Sequence, residues 1–207
     1  MNYCSSCGAV LQKKIPPGDN RPRFVCGSCN TIYYQNPKIV TGCLAEWENK
    51  VLMCRRAIIP RQGLWTLPAG FMENGETVVE AAIRETYEEA NASVEIIDLF
   101  TIFNLPHVNQ VYMMFRARLR DLNYRPGEES LEVDLFDETQ IPWDRLAFAT
   151  IHHTLHLYFH DRQSGHFGFH MGDIIKIGDH ASLVERRSNP PTEFIPTTIL
   201  HPKEKSQ

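Results

Sequence analysis

A chain of 207 residues, 43% of them hydrophobic, can enclose one substantial core beside a small module, which excludes wholesale disorder. The net charge of −4 argues against a general nucleic-acid binder and leaves room only for a local basic pocket. No run of about 18 or more apolar residues occurs, and the start, MNYCSSCGAV, has no basic stretch ahead of an apolar core, so a protein without a membrane partner, in the cytoplasm, is expected.

Residues 1–35 read as the first unit. Cys4-x2-Cys7 and Cys26-x2-Cys29 are separated by about 18 residues, the spacing of a four-cysteine zinc site. Gly8 follows one pair and Gly27 splits the other; tight turns there let four thiolates converge on a tetrahedral ion. The loop-like KKIPPGDNRP between the pairs leaves too little core for independent folding, so a structural Zn²⁺ is expected to supply the stability. Two disulfides are the alternative, disfavoured in a cytosolic chain. Tyr3, Phe24, Tyr33 and Tyr34 could stack bases, but packing around the zinc knuckles is the preferred use. Cys43 and Cys54 stand alone among apolar neighbours, as small buried hydrophobes.

The second unit, residues 36–162, opens with KIVTGCLAEW and KVLMCRRAI joined by the turn-prone ENK, a strand hairpin. GLWTLPAGF reads as a third strand ended by Pro68 and Gly70. A helix is expected over 77–90, with Thr77 and Glu80 at capping-box spacing. SVEIIDLFTIF, QVYMMFRARL and LEVDLF read as further strands, with YRPGEES as a loop before the last. IPWDRLAFATIHHTLHLYFHDR reads as mostly helical. Strands and helices are interspersed without a regular βαβ repeat, so the fold class is α+β, a mixed sheet with helices packed on it. Residues 163–207 form a C-terminal extension, partly irregular. GHFGFHMGD there fits no pattern, and the stretch either covers an edge of the fold or contributes to a dimer.

The helix poses the chemical question. At about 100° per residue, Val79, Ala82, Ile83, Thr86 and Ala90 share one buried stripe. Glu85, Glu88 and Glu89 fall in an adjoining arc, so Glu85 faces both others at i+3 and i+4 and all three repel. Arg84 cannot neutralise three carboxylates, and Glu80 and Glu88 compete for it. A solvated acidic face is one reading. The other is a divalent cation, Mg²⁺ or Mn²⁺, which such an oxygen cluster suits and which takes further ligands from a phosphate-bearing substrate.

The stretch Gly70-x5-Glu76-x7-Arg84-Glu85-x-x-Glu88-Glu89 resembles the Nudix box, G-x5-E-x7-R-E-U-x-E-E-x-G-U, where U is bulky and aliphatic. Thr86 stands at the first U and Asn91 at the last glycine; asparagine tolerates the left-handed turn expected there. Ala69 replaces a glycine often found just before the box. The resemblance implies an α/β/α Nudix sandwich behind the ribbon. It makes Glu85, Glu88 and Glu89 metal ligands, with the Gly70 carbonyl completing the set and Glu76 orienting Arg84. It also implies hydrolysis of a nucleoside diphosphate linked to another moiety, and a homodimer as a common state.

No nucleophilic serine or cysteine motif and no Walker loop is present, so water is the expected nucleophile. Its proton would go to Glu85 or to the downstream loop carrying Glu128, Glu129 and Glu132, of which Glu129 is the candidate carried forward. A ribbon ahead of such a domain resembles the NADH pyrophosphatase branch, yet that branch's S-Q-P-W-P-F-P-x-S is missing. PHVNQVYMMFRA is instead similar to ribbon-bearing members associated with ADP-ribose and FAD. A small dinucleotide or nucleotide-sugar substrate is therefore expected, ADP-ribose or FAD first, with release of AMP. Arg55, Arg56 and Arg61 are candidates for the phosphates, and His107 and Asn109 for base or ribose. Phe103 and Tyr112 read as core. His152, His156 and His160, spaced i, i+4, read as a polar face or dimer contact rather than a metal site. NADH hydrolysis or removal of an RNA NAD cap is the alternative reaction. A nucleotide-sensing or nucleic-acid-binding module without catalysis is the rival class, disfavoured by the intact carboxylates.

Overall fold

The computed structural model describes residues 1–177 and 180–185, with side chains through residue 175. β1 (Leu11–Lys14), β2 (Arg23–Cys26) and β3 (Ile32–Tyr33) form a small antiparallel sheet. Behind it lies a core of little more than Cys4, Leu11 and Cys26. The sulfurs of the four ribbon cysteines all lie within 4.8 Å of one another, with Cys4–Cys29, Cys7–Cys26 and Cys7–Cys29 separations of 3.6, 3.5 and 3.6 Å. A zinc tetrahedron with bonds of about 2.3 Å sets its sulfurs about 3.8 Å apart, so the cluster fits that ion. With so small a core, stripping the metal with a strong chelator is expected to abolish the cooperative folding of residues 1–35 while the larger unit stays folded. Loss of amide-exchange protection confined to β1–β3 is the measurement; protection that survives chelation would refute it.

The larger unit begins with the expected hairpin, β4 (Lys38–Trp47) and β5 (Lys50–Arg56), whose turn places Glu48 at φ 53°. The third strand is not continuous. β6 (Trp65–Thr66) pairs with β5, and β7 (Ala69–Phe71) pairs with β4. Pro68, which has no N–H to give a ladder, sits at the crossover, and its carbonyl accepts from Cys43 N–H at 3.1 Å. Next come α1 (Val78–Ala90), β8 (Val94–Leu105), β9 (Gln110–Leu119) and β10 (Ser130–Phe136). α2 (Ala149–Ser164) starts later than its sequence suggests. Trp143–Arg145 makes only a single 3₁₀ turn. Leu146 then bridges Trp65, and Ala147 N–H bonds the Trp65 carbonyl at 2.8 Å, which holds the chain extended up to Phe148.

β11 (His170–Ile177) and β12 (His180–Glu185) complete the main sheet, in the order β10-β5-β4-β9-β8-β11-β12. β4–β9 and β8–β11 are parallel pairs and the rest antiparallel, the mixed sheet expected. Alternation along β4 and β5 sends Cys43, Ala45, Leu52 and Cys54 to the α1 side and Leu44, Val51 and Met53 to the α2 side. Helices thus cover both faces, an α/β/α sandwich.

GHFGFHMGD, which matched no pattern, leads into β11 on the outer edge of β8. Asp161 at the end of α2 anchors it. Its Oδ2 accepts from Gly168 N–H at 2.9 Å and lies 2.7 Å from His170 Nε2. Asn104 Nδ2 donates to Asp173 Oδ1 at 3.0 Å. The proline-rich tail from Ser188 lies outside the described residues. Among the described residues no helix is long and apolar enough to cross a membrane.

Candidate active site

α1 opens with the expected capping box: Thr77 Oγ1 accepts from Glu80 N–H (3.2 Å), and Glu80 Oε2 accepts from Thr77 N–H (2.7 Å). Glu80 is therefore occupied and does not compete for Arg84. The buried face keeps Ala82, Thr86 and Ala90 as expected but shifts from Val79 and Ile83 toward Ala81 and Glu89. Ala81, Ala82, Thr86 and Glu89 are buried, while Ile83 is 37% exposed. Small side chains let the helix lie close against β4 and β7, and proximity outranks the hydrophobicity of isoleucine. The Thr86 hydroxyl is satisfied within the helix, donating to the Ala82 carbonyl at 2.7 Å.

That shift carries Glu85 and Glu89 toward the strand above. A Cβ at Gly70 would meet the Glu85 carboxylate, so glycine there lets that carboxylate sit directly against β7. Ala69 N–H donates to Glu89 Oε2 at 3.3 Å. Arg84 does more than expected. It grips Glu76 with two bonds (Nε–Oε2 3.0 Å, Nη2–Oε1 2.7 Å) and contacts Glu85 (2.8 Å), Glu88 (2.9 Å) and the Phe71 carbonyl (3.1 Å). This guanidinium holds the Glu76 carboxyl down at about 2. Glu89 has no such partner. Burial and then the neighbouring Glu85 push its carboxyl up to about 8, and burial raises Glu85 as well.

The other end of α1 is built by the acidic loop. Asn91 takes the left-handed C-cap conformation (φ 49°, ψ 25°), as expected of asparagine in place of glycine. Its side-chain amide also donates to the carbonyls of Arg125 (3.2 Å) and Pro126 (3.3 Å). Arg125 and Gly127 N–H groups each bond a carbonyl of the last helical turn at 2.9 Å, those of Ala90 and Glu89. The loop is thus clamped to the helix and brings Glu128 and Glu129 beside Glu85 and Glu89. The resemblance placed these glutamates among the base candidates, but the contacts that dock the loop join residues 34 and 35 positions apart, which no local pattern shows.

These groups line one end of a cleft of about 1030 Å³. Gly70, Arg84, Glu85, Glu88, Glu89 and Glu129 meet there. Leu105, Val108, Tyr112, Phe148 and Ile151 supply an apolar pole, and Arg56, Arg61 and His107 also line the cleft. Tyr112, read as core, faces this space, whereas Phe103 is core at 1% exposure. Two substrate candidates lie elsewhere. Arg55 Nε is 3.1 Å from Glu132 on paired β10, which takes Glu132 away from the base candidates too. Asn109 shapes the β8–β9 turn at φ 53°, and its carbonyl accepts from Lys38 N–H. The three spaced histidines do not converge: His156 stacks on Trp143 (4.3 Å) with His152 beside it, and His160 is exposed. Among the described residues, only the ribbon cysteines bring three or more His, Cys, Asp or Glu ligand atoms within 4.8 Å.

Glu85 and Glu88 lean on Arg84 in this arrangement. The donor set nonetheless fits a hard divalent cation: all ligands are oxygen, one carboxylate is buried without a cationic side chain in contact, and a glycine leaves space over the cluster.

Residues 36–163 match the model of the NUDIX domain, and residues 2–35 match the Nudix N-terminal zinc ribbon. An ADP-ribose pyrophosphatase of Methanocaldococcus jannaschii is 31% identical over 121 residues, 56% of this chain and 69% of that protein. The NAD-capped RNA hydrolase NudC of Vibrio atlanticus is 29% identical over 147 residues (69% of this chain, 51% of that protein). The mitochondrial NAD(P)H pyrophosphatase NUDT13 of Mus musculus is 30% identical over 148 residues (72% and 40%). The chain thus spans about half or less of these last two. A crystal structure of a NUDIX hydrolase from Nitrosomonas europaea, 57% identical, superposes with a TM-score of 0.83 over 85% of this chain and 100% of that one.

Proposed function

The chain belongs to the Nudix family of hydrolases, and we propose that it cleaves the diphosphate of an ADP-containing compound, ADP-ribose or FAD, releasing AMP. One observation carries this reading: a single cleft is lined by a cluster of glutamates, by Arg56 and Arg61, and by apolar and aromatic side chains. Such a space suits a molecule with a polyanionic middle and a flat aromatic end. The Methanocaldococcus relative supports ADP-ribose. The NudC and NUDT13 relatives favour the alternative, NADH or an NAD-capped RNA end.

In this reading Glu85, Glu88 and Glu89, with the Gly70 carbonyl, hold Mg²⁺ or Mn²⁺. When bound, that ion neutralises diphosphate charge and acidifies water. The chain's own groups supply the rest. Glu76 keeps Arg84 anchored, so Glu85 and Glu88 can exchange Arg84 for a cation without leaving the guanidinium unpaired. Glu129, clamped beside the cluster, takes the proton of the attacking water at its carboxylate. Arg56 and Arg61 face the phosphates, His107 faces the ribose, and the aromatic wall excludes water from the base.

Assaying ADP-ribose, FAD, NADH and NAD-capped RNA with Mg²⁺ or Mn²⁺ tests the proposal. AMP release is expected from ADP-ribose or FAD at the highest kcat/KM and to vanish in Glu88→Gln. Preference for NADH or capped RNA would shift the assignment to the alternative. Equal turnover by Glu88→Gln would overturn the catalytic assignment altogether.

A further inference from the structure

The start of α2 stands apart from the carboxylate cluster in a way the reaction does not explain. Its cap residue, Phe148, offers no side-chain bond, whereas α1 has a full capping box. Ile151 N–H already bonds the Phe148 carbonyl at 3.1 Å, which leaves the first two amides of the helix, those of Ala149 and Thr150, without an acceptor within it at its positive pole. Thr150, in that first turn, is 1% exposed, and its Oγ1 has no hydrogen-bond partner although the residue lines the cleft. The next threonine along, Thr154, is satisfied by the Thr150 carbonyl at 2.8 Å, so the orphaned hydroxyl is specific to the cleft end. A buried hydroxyl is ordinarily paired, and an orphaned one on a residue of a cavity wall points to a ligand.

Arg56 connects the two ends. Its guanidinium lies over the Phe148 ring at 5.1 Å from the centroid, and its Nε is held by the Pro60 carbonyl at 3.0 Å. Its positive field also reaches Glu89. α1 and α2 lie on opposite faces of the sheet, so the cleft wraps its end, with the carboxylates on one side and the α2 start on the other.

We propose that the α2 N-terminus, the Thr150 hydroxyl and Arg56 form an anion subsite. It receives the phosphate of the substrate's diphosphate that does not rest on the glutamate cluster. The subsite rests on the proposed substrate class, and it adds what that reading lacks: a neutral-plus-cationic cradle for the second phosphate, fixed by backbone amides. Helix amides, a hydroxyl and a guanidinium are all donors, matching phosphate oxygens that only accept.

Thr150→Val keeps the volume and removes the hydroxyl; Thr150→Ser keeps the hydroxyl. Binding is measured in the zinc-loaded Glu88→Gln chain, where turnover is suppressed, with ADP-ribose, phosphate-free adenosine and inorganic phosphate as probes. Thr150→Val is expected to weaken ADP-ribose and inorganic phosphate about tenfold, to leave adenosine unchanged, and to melt no lower than its parent because no bond is lost. Thr150→Ser should bind ADP-ribose within about twofold of the parent. Equal weakening of adenosine, or no weakening of either phosphate-bearing probe, would overturn the subsite. Should the wild type fail to turn over any ADP compound, the substrate reading falls, and inorganic phosphate still reads the subsite by itself.

Discussion

Glu89→Gln is expected to lower kcat by about 10²–10³-fold, the loss of several kcal/mol of charge stabilisation, while the metal-free variant melts higher than wild type at pH 8. The two outcomes have one cause. Glu89 is buried, without a cationic partner in contact, and its carboxyl is pushed up to about 8 by burial and by Glu85. For a group whose folded pKa exceeds its unfolded value, the folded state holds the proton more tightly. Its stabilising contribution is complete below the unfolded value, near pH 4.5, and is lost as pH rises through about 8. The wild-type chain without divalent cation should therefore lose stability over that window, and Glu89→Gln should lose less, the remainder coming from Glu85, whose carboxyl burial also raises. Binding of Mg²⁺ or Mn²⁺ displaces the proton, so apparent affinity should rise by up to about tenfold per pH unit below pH 8. Thermal melts at pH 5–9 and calorimetric Mn²⁺ titrations measure both. A flat wild-type profile would mean that Glu89 is ionised throughout, and the burial argument would fail.

Gly127→Ala should be nearly as damaging, though residue 127 touches no substrate. A Cβ there would strike the Glu88 carbonyl, which is helix backbone and cannot swing aside. Either the last turn of α1 unwinds or the loop lifts, breaking the Gly127 N–H bond to Glu89 and the paired Asn91 contacts. Forced overpacking of this kind costs about 1–3 kcal/mol. Displacing Glu129 by about 1 Å is expected to reduce kcat about 10²-fold. KM should change less, because Arg56, Tyr112 and the α2 start lie on other elements. A variant that melts lower yet keeps full kcat would show that the loop carboxylates take no part in proton transfer.

Periodicity and punctuation made much of this legible in advance. Thr77 and Glu80 marked the start of α1, the paired cysteines marked the ribbon, and apolar-rich runs marked β4, β5, β8 and β9. What stayed hidden depended on distance across the chain. The buried face of α1 was right at Ala82, Thr86 and Ala90 but missed one flank, because Ile83 outranks Ala81 in hydrophobicity, whereas close packing on β7 favours alanine. Arg55 looked free for phosphate until the β5–β10 register set Glu132 opposite it. The late start of α2 follows from a bridge to Trp65, about 80 residues upstream. Thr150 gave no signal in sequence, since an orphaned hydroxyl is defined by what fails to surround it.

The parallel seating of β11 on β8 also bears on how the chain is made. During synthesis the outer edge of β8 is finished about 65 residues before its cover emerges, an interval of several seconds at about 5–20 residues per second. Throughout it an apolar strand presents unpaired amides and carbonyls. Nascent chains arrested between residues 120 and 165 should therefore depend on holdase chaperones and pellet without them, while those released beyond 185 stay in the supernatant.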